Sequence, residues 1–138
     1  MSYAGDLTPD EAFSLLQSRP EAILVDVRTT AEWSYVGVPD LSGVGRAPLL
    51  AEWVTFPDGA RNPLFLDQVS AAATSKDAPV VFLCRSGVRS VAAAEAATAA
   101  GFSAAYNVTE GFEGPSDESG HRGTAAGWKV RGLPWKQS

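Results

Sequence analysis

The chain has 138 residues, of which 45% are hydrophobic, and a formal net charge of −5. These values fit a single domain over residues 1–138, large enough to bury a core without disulfides or metal. The acidic balance disfavours nucleic-acid binding, because it repels phosphate backbones. One Cys and one His exclude the usual zinc clusters, which need about four such ligands. The start lacks a signal-like pattern and no apolar run approaches about 18 residues, so we expect a cytoplasmic protein with no membrane partner.

The first part of the chain is predicted to form helix, strand and helix. Thr8, Pro9 and Glu11 make a capping box with proline in the first turn, so a helix should begin there. Residues 22–27 form a short β-branched run that is typical of a buried strand. Thr29 or Thr30 can then cap a short helix that stops near Gly37 and Pro39.

The middle of the chain has weaker patterns. Residues 47–56 have strand character around Pro48, and residues 57–62 are rich in turn formers. Asn62 and Pro63 are typical of a cap and first helical turn, which predicts a helix continuing to Val69.

The second half repeats the alternation of strand and helix. Residues 79–83 should be a buried strand, residues 88–100 a helix that ends before Gly101, and residues 104–108 a last strand. Strands alternating with helices predict an α/β fold with a parallel sheet covered on both faces and right-handed crossovers.

The tail is predicted to be a loop over residues 110–123, followed by a short helix over residues 124–130. His121 and Arg122 should lie on its surface. Three apolar side chains are expected to pack back on the domain: Trp128, Leu133 and Trp135.

The chemistry-bearing segment lies between the strand at 79–83 and the next helix. It consists of Cys84, Arg85, Ser86, Gly87, Val88 and Arg89. A loop that turns from a strand into a helix collects backbone N–H groups and the positive end of the helix dipole, and two arginines add charge. We therefore expect Cys84 to ionise readily without a histidine base. The competing interpretations are an inert core cysteine and solvated surface arginines.

Three segments resemble the single-domain rhodaneses, which are sulfurtransferases. Leu24-Val25-Asp26-Val27-Arg28 with Glu32-Trp33 resembles the first motif of that family. The Cys84 to Arg89 stretch resembles its six-residue active-site loop, and Gly111-Phe112 through Gly132-Leu133-Pro134-Trp135 resembles the domain end. The resemblance covers about residues 8–135, which we take as the extent of the domain core.

The resemblance implies a five-stranded parallel sheet and a double displacement without a cofactor. Cys84 would take a sulfur atom from a thiosulfate-like donor as a persulfide, and cyanide or a thiol would accept it. The amides of residues 85–89 would cradle the persulfide, and Arg85 and Arg89 would attract an anionic donor. Asp26 and Arg28 are expected to play a supporting role as structural ion-pair residues, with Arg28 pairing Glu32.

One segment departs from the family pattern. Residues 36–40 read Val-Gly-Val-Pro-Asp, where many members have a Gly-His-Ile-Pro-like sequence. Because this segment does not supply the nucleophile, we expect a changed rim of the acceptor pocket rather than lost activity.

Three other functions remain open. Dual-specificity phosphatases of the cell cycle place the loop arginine six positions after the cysteine, whereas Arg89 follows Cys84 by five, so we rank a phosphatase low. A non-catalytic binding module is disfavoured, because Cys84 and both arginines are present. The third is a persulfide relay to a partner protein, which uses the same reaction at Cys84.

Overall fold

The structure is a computed structural model that describes residues 3–55, 59–114, 118–120 and 126–137. Its strands are β1 (Gly5–Leu7), β2 (Ile23–Asp26), β3 (Val38–Pro39), β4 (Leu49–Leu50), β5 (Val80–Leu83), β6 (Ala105–Val108) and β7 (Trp135–Lys136). Five of them form one parallel sheet in the order β1, β6, β5, β2, β4. The other two, β3 and β7, form a small antiparallel pair.

The helices are α1 (Pro9–Ser18), α2 (Thr30–Val36), α3 (Phe65–Ala72) and α4 (Arg89–Ala99), and Ser42–Val44 form a 3₁₀ turn. Both predicted caps are confirmed, since Thr8 and Thr29 each head a complete capping box. Within the described ranges, no helix is long and apolar enough to span a membrane.

The sheet has a separate apolar core on each face. Val80, Phe82 and Cys84 alternate toward the face that packs on α3 and α4. Val81 and Leu83 alternate toward the opposite face, which packs on α1 and the tail. This period of two is the signature of a strand buried on both sides. The predicted α/β architecture, with a five-stranded parallel sheet and helices on both faces, is therefore confirmed.

Several predicted boundaries differ from the structure. The helix predicted to begin at Asn62 and Pro63 starts at Phe65, because the side-chain Oδ1 of Asn62 accepts from the Leu64 backbone N–H (3.1 Å) and closes a turn first. The strand expected within residues 47–56 is only two residues long. The short strands β1, β3 and β7 were not predicted.

The tail packs on the domain but contains no helix in its described part. Residues 126–132 form turns and bends, which corrects the helix predicted over 124–130 as far as it is described. Trp128 is fully buried, and its indole N–H donates to the Pro134 carbonyl (2.7 Å). Trp135 is 38% exposed. Residues 56–58, 115–117 and 121–125 lie outside the described ranges, and so do the predictions for Phe56, His121 and Arg122.

Candidate active site

Cys84 directly follows the carboxyl end of β5, and α4 begins five residues later at Arg89. The backbone N–H of Gly87 donates to Cys84 Sγ over 3.1 Å. Only 1% of the cysteine is exposed. The burial matches the inert-core interpretation of Cys84, whereas an N–H group directed at Sγ matches the reactive one, because it stabilises negative charge on sulfur.

The outer side of this loop is held by the segment that follows β6. The amide of Phe112 donates to the Cys84 carbonyl (2.8 Å), and the amides of Glu113 and Gly114 donate to the Arg85 carbonyl (3.0 and 3.1 Å). The carbonyl groups of Cys84 and Arg85 are thus paired with this segment.

Two glycines permit this close backbone contact. Gly87 has φ +102°, and a Cβ there would lie 2.3 Å from the Thr109 carbonyl oxygen. Gly111 has φ +67°, and its Cβ would lie 2.5 Å from the Arg85 carbonyl. Any side chain at either position would push the loop and its supporting segment apart.

Arg89 is not a free cation, because both Nη atoms of its guanidinium donate to the carboxylate of Glu32. The nitrogen–oxygen distances are 2.7 and 2.9 Å. Burial acts to raise the pKa of Glu32, but the hydrogen bonds from Arg89 and Thr29 and the charge of Arg89 outweigh it and lower the pKa to about 2. The hydrogen bond to Glu32 raises the pKa of Arg89, and the charges of Cys84 and Asp26 act in the same direction.

Asp26 and Arg28 form an ion pair with no exposed surface on either side chain. Arg28 Nη2 lies 2.6 Å from Asp26 Oδ2 and donates to the Gly37 carbonyl (2.8 Å). The guanidinium also stacks on the Phe112 ring at 4.2 Å. The expected pairing of Arg28 with Glu32 is therefore wrong. A supporting role fits, since Arg28 ties the end of β2 to the segment that carries Phe112.

The segment that departs from the family pattern contacts the tail. Residues Val38 and Pro39 pair with Lys136 and Trp135 as β3 and β7. Gly37 has φ +108°, and a Cβ there would lie 2.8 Å from the Lys136 carbonyl oxygen. A histidine cannot occupy Gly37 without displacing the tail.

The remaining loop residues face outward to different degrees. Arg85 and Val88 are exposed, with Val88 at 76%, and Ser86 is half-buried. Among the described residues, the Arg85 side chain has no ion-pair partner. It is therefore the loop cation whose charge is not offset by a described carboxylate.

The sequence analysis missed two buried polar side chains behind the cysteine. Ser90 Oγ lies 3.2 Å from Cys84 Sγ and donates to Asn107 Oδ1. Asn107 Nδ2 in turn donates to Asp6 (3.0 Å). A polar residue inside the apolar strand β6 was the available signal for Asn107, since buried amides need partners. Nothing local marks Asp6.

Comparisons with known proteins bear on the family and the fold of the chain. A family model described as the STR4 middle domain matches residues 5–138. An uncharacterized protein of Rickettsia conorii is 37% identical over 128 residues, which cover 91% of this chain and 92% of that protein. The chloroplastic rhodanese-like domain-containing protein 4 of Arabidopsis thaliana is 28% identical over 125 residues, covering 90% of this chain and 24% of that protein.

Solved structures resemble the chain over most of its length. The crystal structure of Rv0390 from M. tuberculosis has a TM-score of 0.90 and 54% identity, covering 99% of this chain and 100% of that one. A rhodanese-like domain protein from Staphylococcus aureus has a TM-score of 0.54 and 25% identity, covering 78% and 86%. The polysulfide-sulfur transferase of Wolinella succinogenes has a TM-score of 0.62 at 23% identity, covering 95% and 77%, and is similar in fold alone. By the matching model and these neighbours, the chain belongs to the family of the STR4 middle domain and has a rhodanese-like fold.

Proposed function

We propose that the protein is a sulfurtransferase that carries a sulfane sulfur on Cys84. The observation that carries this proposal is the Gly87 N–H group directed at Sγ (3.1 Å), where β5 ends and the loop leads into α4. This is where open parallel sheets bind ligands, and where inward N–H groups stabilise an anion. The rhodanese-like fold of the chain and its neighbours supports the same chemistry.

The reaction has two displacements. The Cys84 thiolate attacks the outer sulfur of thiosulfate, and the sulfur–sulfur bond of the donor breaks with its electron pair leaving on sulfite. The enzyme then holds a persulfide whose outer sulfur carries the negative charge. Cyanide attacks that sulfur to form thiocyanate, and the Cys84 thiolate is regenerated. The loop amides, beginning with Gly87, would stabilise the charged outer sulfur.

The burial of Cys84 adds a requirement and an advantage. Because only 1% of the residue is exposed, a donor reaches Sγ only after the loop opens locally or the side chain rotates. A persulfide held there would in return be shielded from bulk thiols, which otherwise reduce it.

A persulfide relay to a partner protein is the alternative within the same chemistry. Val88 in the loop is 76% exposed, and Tyr35 on α2 is 85% exposed. Val88 directly precedes Arg89, and Tyr35 follows Glu32 by three residues on α2. A partner that contacts the Arg89–Glu32 ion pair would therefore find apolar surface beside it. Transfer from the loaded enzyme to protein thiols, faster than to cyanide, would favour the relay.

The phosphatase remains the weaker candidate. Loop arginines that bind phosphoryl groups frequently do so with two parallel N–H bonds, and Glu32 already accepts from both Nη atoms of Arg89. Phosphatase turnover that exceeds sulfur transfer would reverse this ranking.

The test is intact-mass analysis after incubation with thiosulfate. We expect a gain of one sulfur atom that is lost on adding cyanide, and steady-state kinetics with parallel double-reciprocal lines. Cys84→Ser should abolish the gain while circular dichroism and Tm stay close to wild type. Absence of the added sulfur in the wild type would refute the enzyme and leave the non-catalytic binding module.

A further inference from the structure

A chain of hydrogen bonds connects Cys84 with the protein surface. Ser90 Oγ lies 3.2 Å from Sγ and donates to Asn107 Oδ1. Asn107 Nδ2 donates to Asp6 Oδ1 over 3.0 Å. Ser90 and Asn107 are buried, whereas Asp6 is exposed. The chain thus runs from the candidate nucleophile through β6 to the edge strand β1.

The carboxylate at the surface determines the direction of every bond in the chain. A carboxylate only accepts, so the NH₂ group of Asn107 faces Asp6 and its carbonyl oxygen faces Ser90. An amide oxygen also only accepts, so Ser90 gives its single hydroxyl proton to Asn107. Ser90 therefore presents a lone pair, and not a proton, to Cys84 Sγ.

A lone pair at this position discriminates between the forms of the cysteine. A thiol can donate its proton to Ser90 Oγ, whereas a thiolate faces a second electron-rich atom. Ser90 could turn its proton toward a thiolate only by leaving the buried Asn107 oxygen without its donor, which is unfavourable. In a persulfide the charge lies mainly on the outer sulfur, so the lone pair no longer opposes Sγ.

We propose that Asp6, acting through Asn107, fixes Ser90 as a hydrogen-bond acceptor toward Cys84, so that the site disfavours the bare thiolate relative to the thiol and the persulfide. The persulfide part rests on the function proposed above; the thiol part does not. Ser90, Asn107 and Asp6 are positioning residues in this scheme. The Gly87 N–H group acts in the opposite sense, since it favours charge on sulfur.

The charged groups near Cys84 stay unchanged in the experiment. They are Arg85 in the loop, Arg89 with Glu32 at the start of α4 and α2, and Asp26 with Arg28 after β2. Arg89 donates to Glu32, and Arg28 donates to Asp26 and to the Gly37 carbonyl. Among the described hydrogen bonds, Ser90 Oγ contacts only Cys84 Sγ and Asn107 Oδ1.

Tyr3 and Glu95 are titratable groups at the surface end of the hydrogen-bond chain. The phenol of Tyr3 donates to Asp6 over 2.7 Å, and this hydrogen bond raises the pKa of Tyr3, with smaller contributions from desolvation and from the charges of Asp6 and Glu95. Tyr3 is thus a second donor to Asp6 that does not touch Asn107, which makes it a matched control.

The decisive measurement is the direction in which the pH midpoint of thiolate formation moves. We would titrate the single thiol by its ultraviolet absorbance, with Cys84→Ser in each background as the blank. Ser90→Ala removes the lone pair, so the midpoint should move to lower pH, by roughly three- to tenfold in acid dissociation constant. If Ser90 instead donates to the thiolate, the midpoint moves to higher pH. That result, or no movement, overturns the proposal.

Asp6→Asn tests the remote end without a buried substitution. An amide at position 6 can donate to the Asn107 side-chain oxygen, which allows the Asn107 amide to rotate by 180°. Its NH₂ group then donates to Ser90 Oγ, and the Ser90 hydroxyl proton is free to point at Sγ. The midpoint should again move to lower pH, while Tyr3→Phe should leave it unchanged. An equal shift in Tyr3→Phe would mean that any change near Asp6 suffices, and would refute the coupling of Asp6 to Ser90 through Asn107.

The persulfide part needs a separate equilibrium. In mixtures of thiosulfate and sulfite at a pH above every midpoint, Ser90→Ala and Asp6→Asn should hold less persulfide than the wild type, because their thiolates are better stabilised. An unchanged ratio contradicts this part. If the wild type does not load sulfur at all, the proposed function fails, while the titration still decides the role of Ser90.

Discussion

Arg89 and Glu32 lie 57 residues apart in the chain, and yet their side chains form a two-pronged ion pair with distances of 2.7 and 2.9 Å. Arg89 is the last residue of the cysteine loop and the first residue of α4, and Glu32 completes the capping box of α2. The pair therefore joins the first turns of two helices beside the candidate nucleophile. It also offsets one of the two charges that the sequence assigns to donor binding.

The Glu32–Arg89 pair should make stability depend on pH. Folding lowers the pKa of Glu32 from 4.5 to about 2, so its stabilising contribution is complete above the unfolded value and is lost as pH falls through the folded one. We expect Glu32→Gln to lower the free energy of unfolding at neutral pH by about 1–3 kcal/mol. Urea titrations should show this difference closing between pH 4.5 and about 2.

Glu11→Gln is the matched control, because Glu11 occupies the same position in the capping box of α1. Among the described residues it has no arginine partner. The free energy of unfolding of Glu32→Gln could instead differ from that of the wild type by the same amount at every pH. That result would contradict the pairing argument.

Arg85 should dominate the attraction of an anionic donor. It is exposed and has no described ion-pair partner, whereas Glu32 offsets Arg89. We expect Arg85→Ala to raise KM for thiosulfate by about tenfold, the size of one charged hydrogen bond, with a smaller change in kcat. Arg85→Lys, which keeps the charge, should recover most of the loss. A larger KM effect in Arg89→Ala with an intact fold would reverse the assignment.

Gly111 should be essential for the shape of the loop. A Cβ at this position would lie 2.5 Å from the Arg85 carbonyl, at φ +67°. Gly111→Ala should therefore displace the loop and reduce sulfur transfer on the order of a hundredfold, as misplaced reacting groups do.

Gly45→Ala separates this clash from backbone strain. Gly45 has φ +74°, with no atom within 4 Å of a built Cβ. The Gly45→Ala substitution should cost about 1–2 kcal/mol of stability and leave the rate of sulfur transfer unchanged. Transfer kinetics and denaturation curves of Gly111→Ala and Gly45→Ala check both expectations. Equal activity losses would show that strain alone is responsible.

Asp26→Asn should be among the most destabilising polar substitutions in the chain. Its partner Arg28 is fully buried and would keep a charge without a counterion. Removing one member of such a pair costs about 3–5 kcal/mol. The exposed pair of Arg19 and Glu21 provides the control, and Glu21→Gln should change little in the same denaturation experiment. Equal small effects would show that the Asp26 charge is unimportant.

The local features of this fold could be predicted because neighbouring residues encode them. The caps at Thr8 and Thr29 need only a side chain and a glutamate three residues on. The turn from β5 into α4 and the positive φ of Gly101 are equally local. The resemblance of the Cys84 loop to the rhodaneses also depends on consecutive residues, and it indicated the fold that the comparisons support.

The partners of these residues were decided by tertiary structure alone. Glu32 could pair with Arg28 on the same short segment, but folding places Arg28 beside Asp26 and brings Arg89 to Glu32. The strand β1 becomes recognisable only when it pairs with β6. By itself, the sequence determined the four helices, the buried strands β2, β5 and β6, and which residue is the candidate nucleophile. Which groups surround Sγ depended on how parallel strands from distant parts of the chain align, because no short-range periodicity encodes contacts between them.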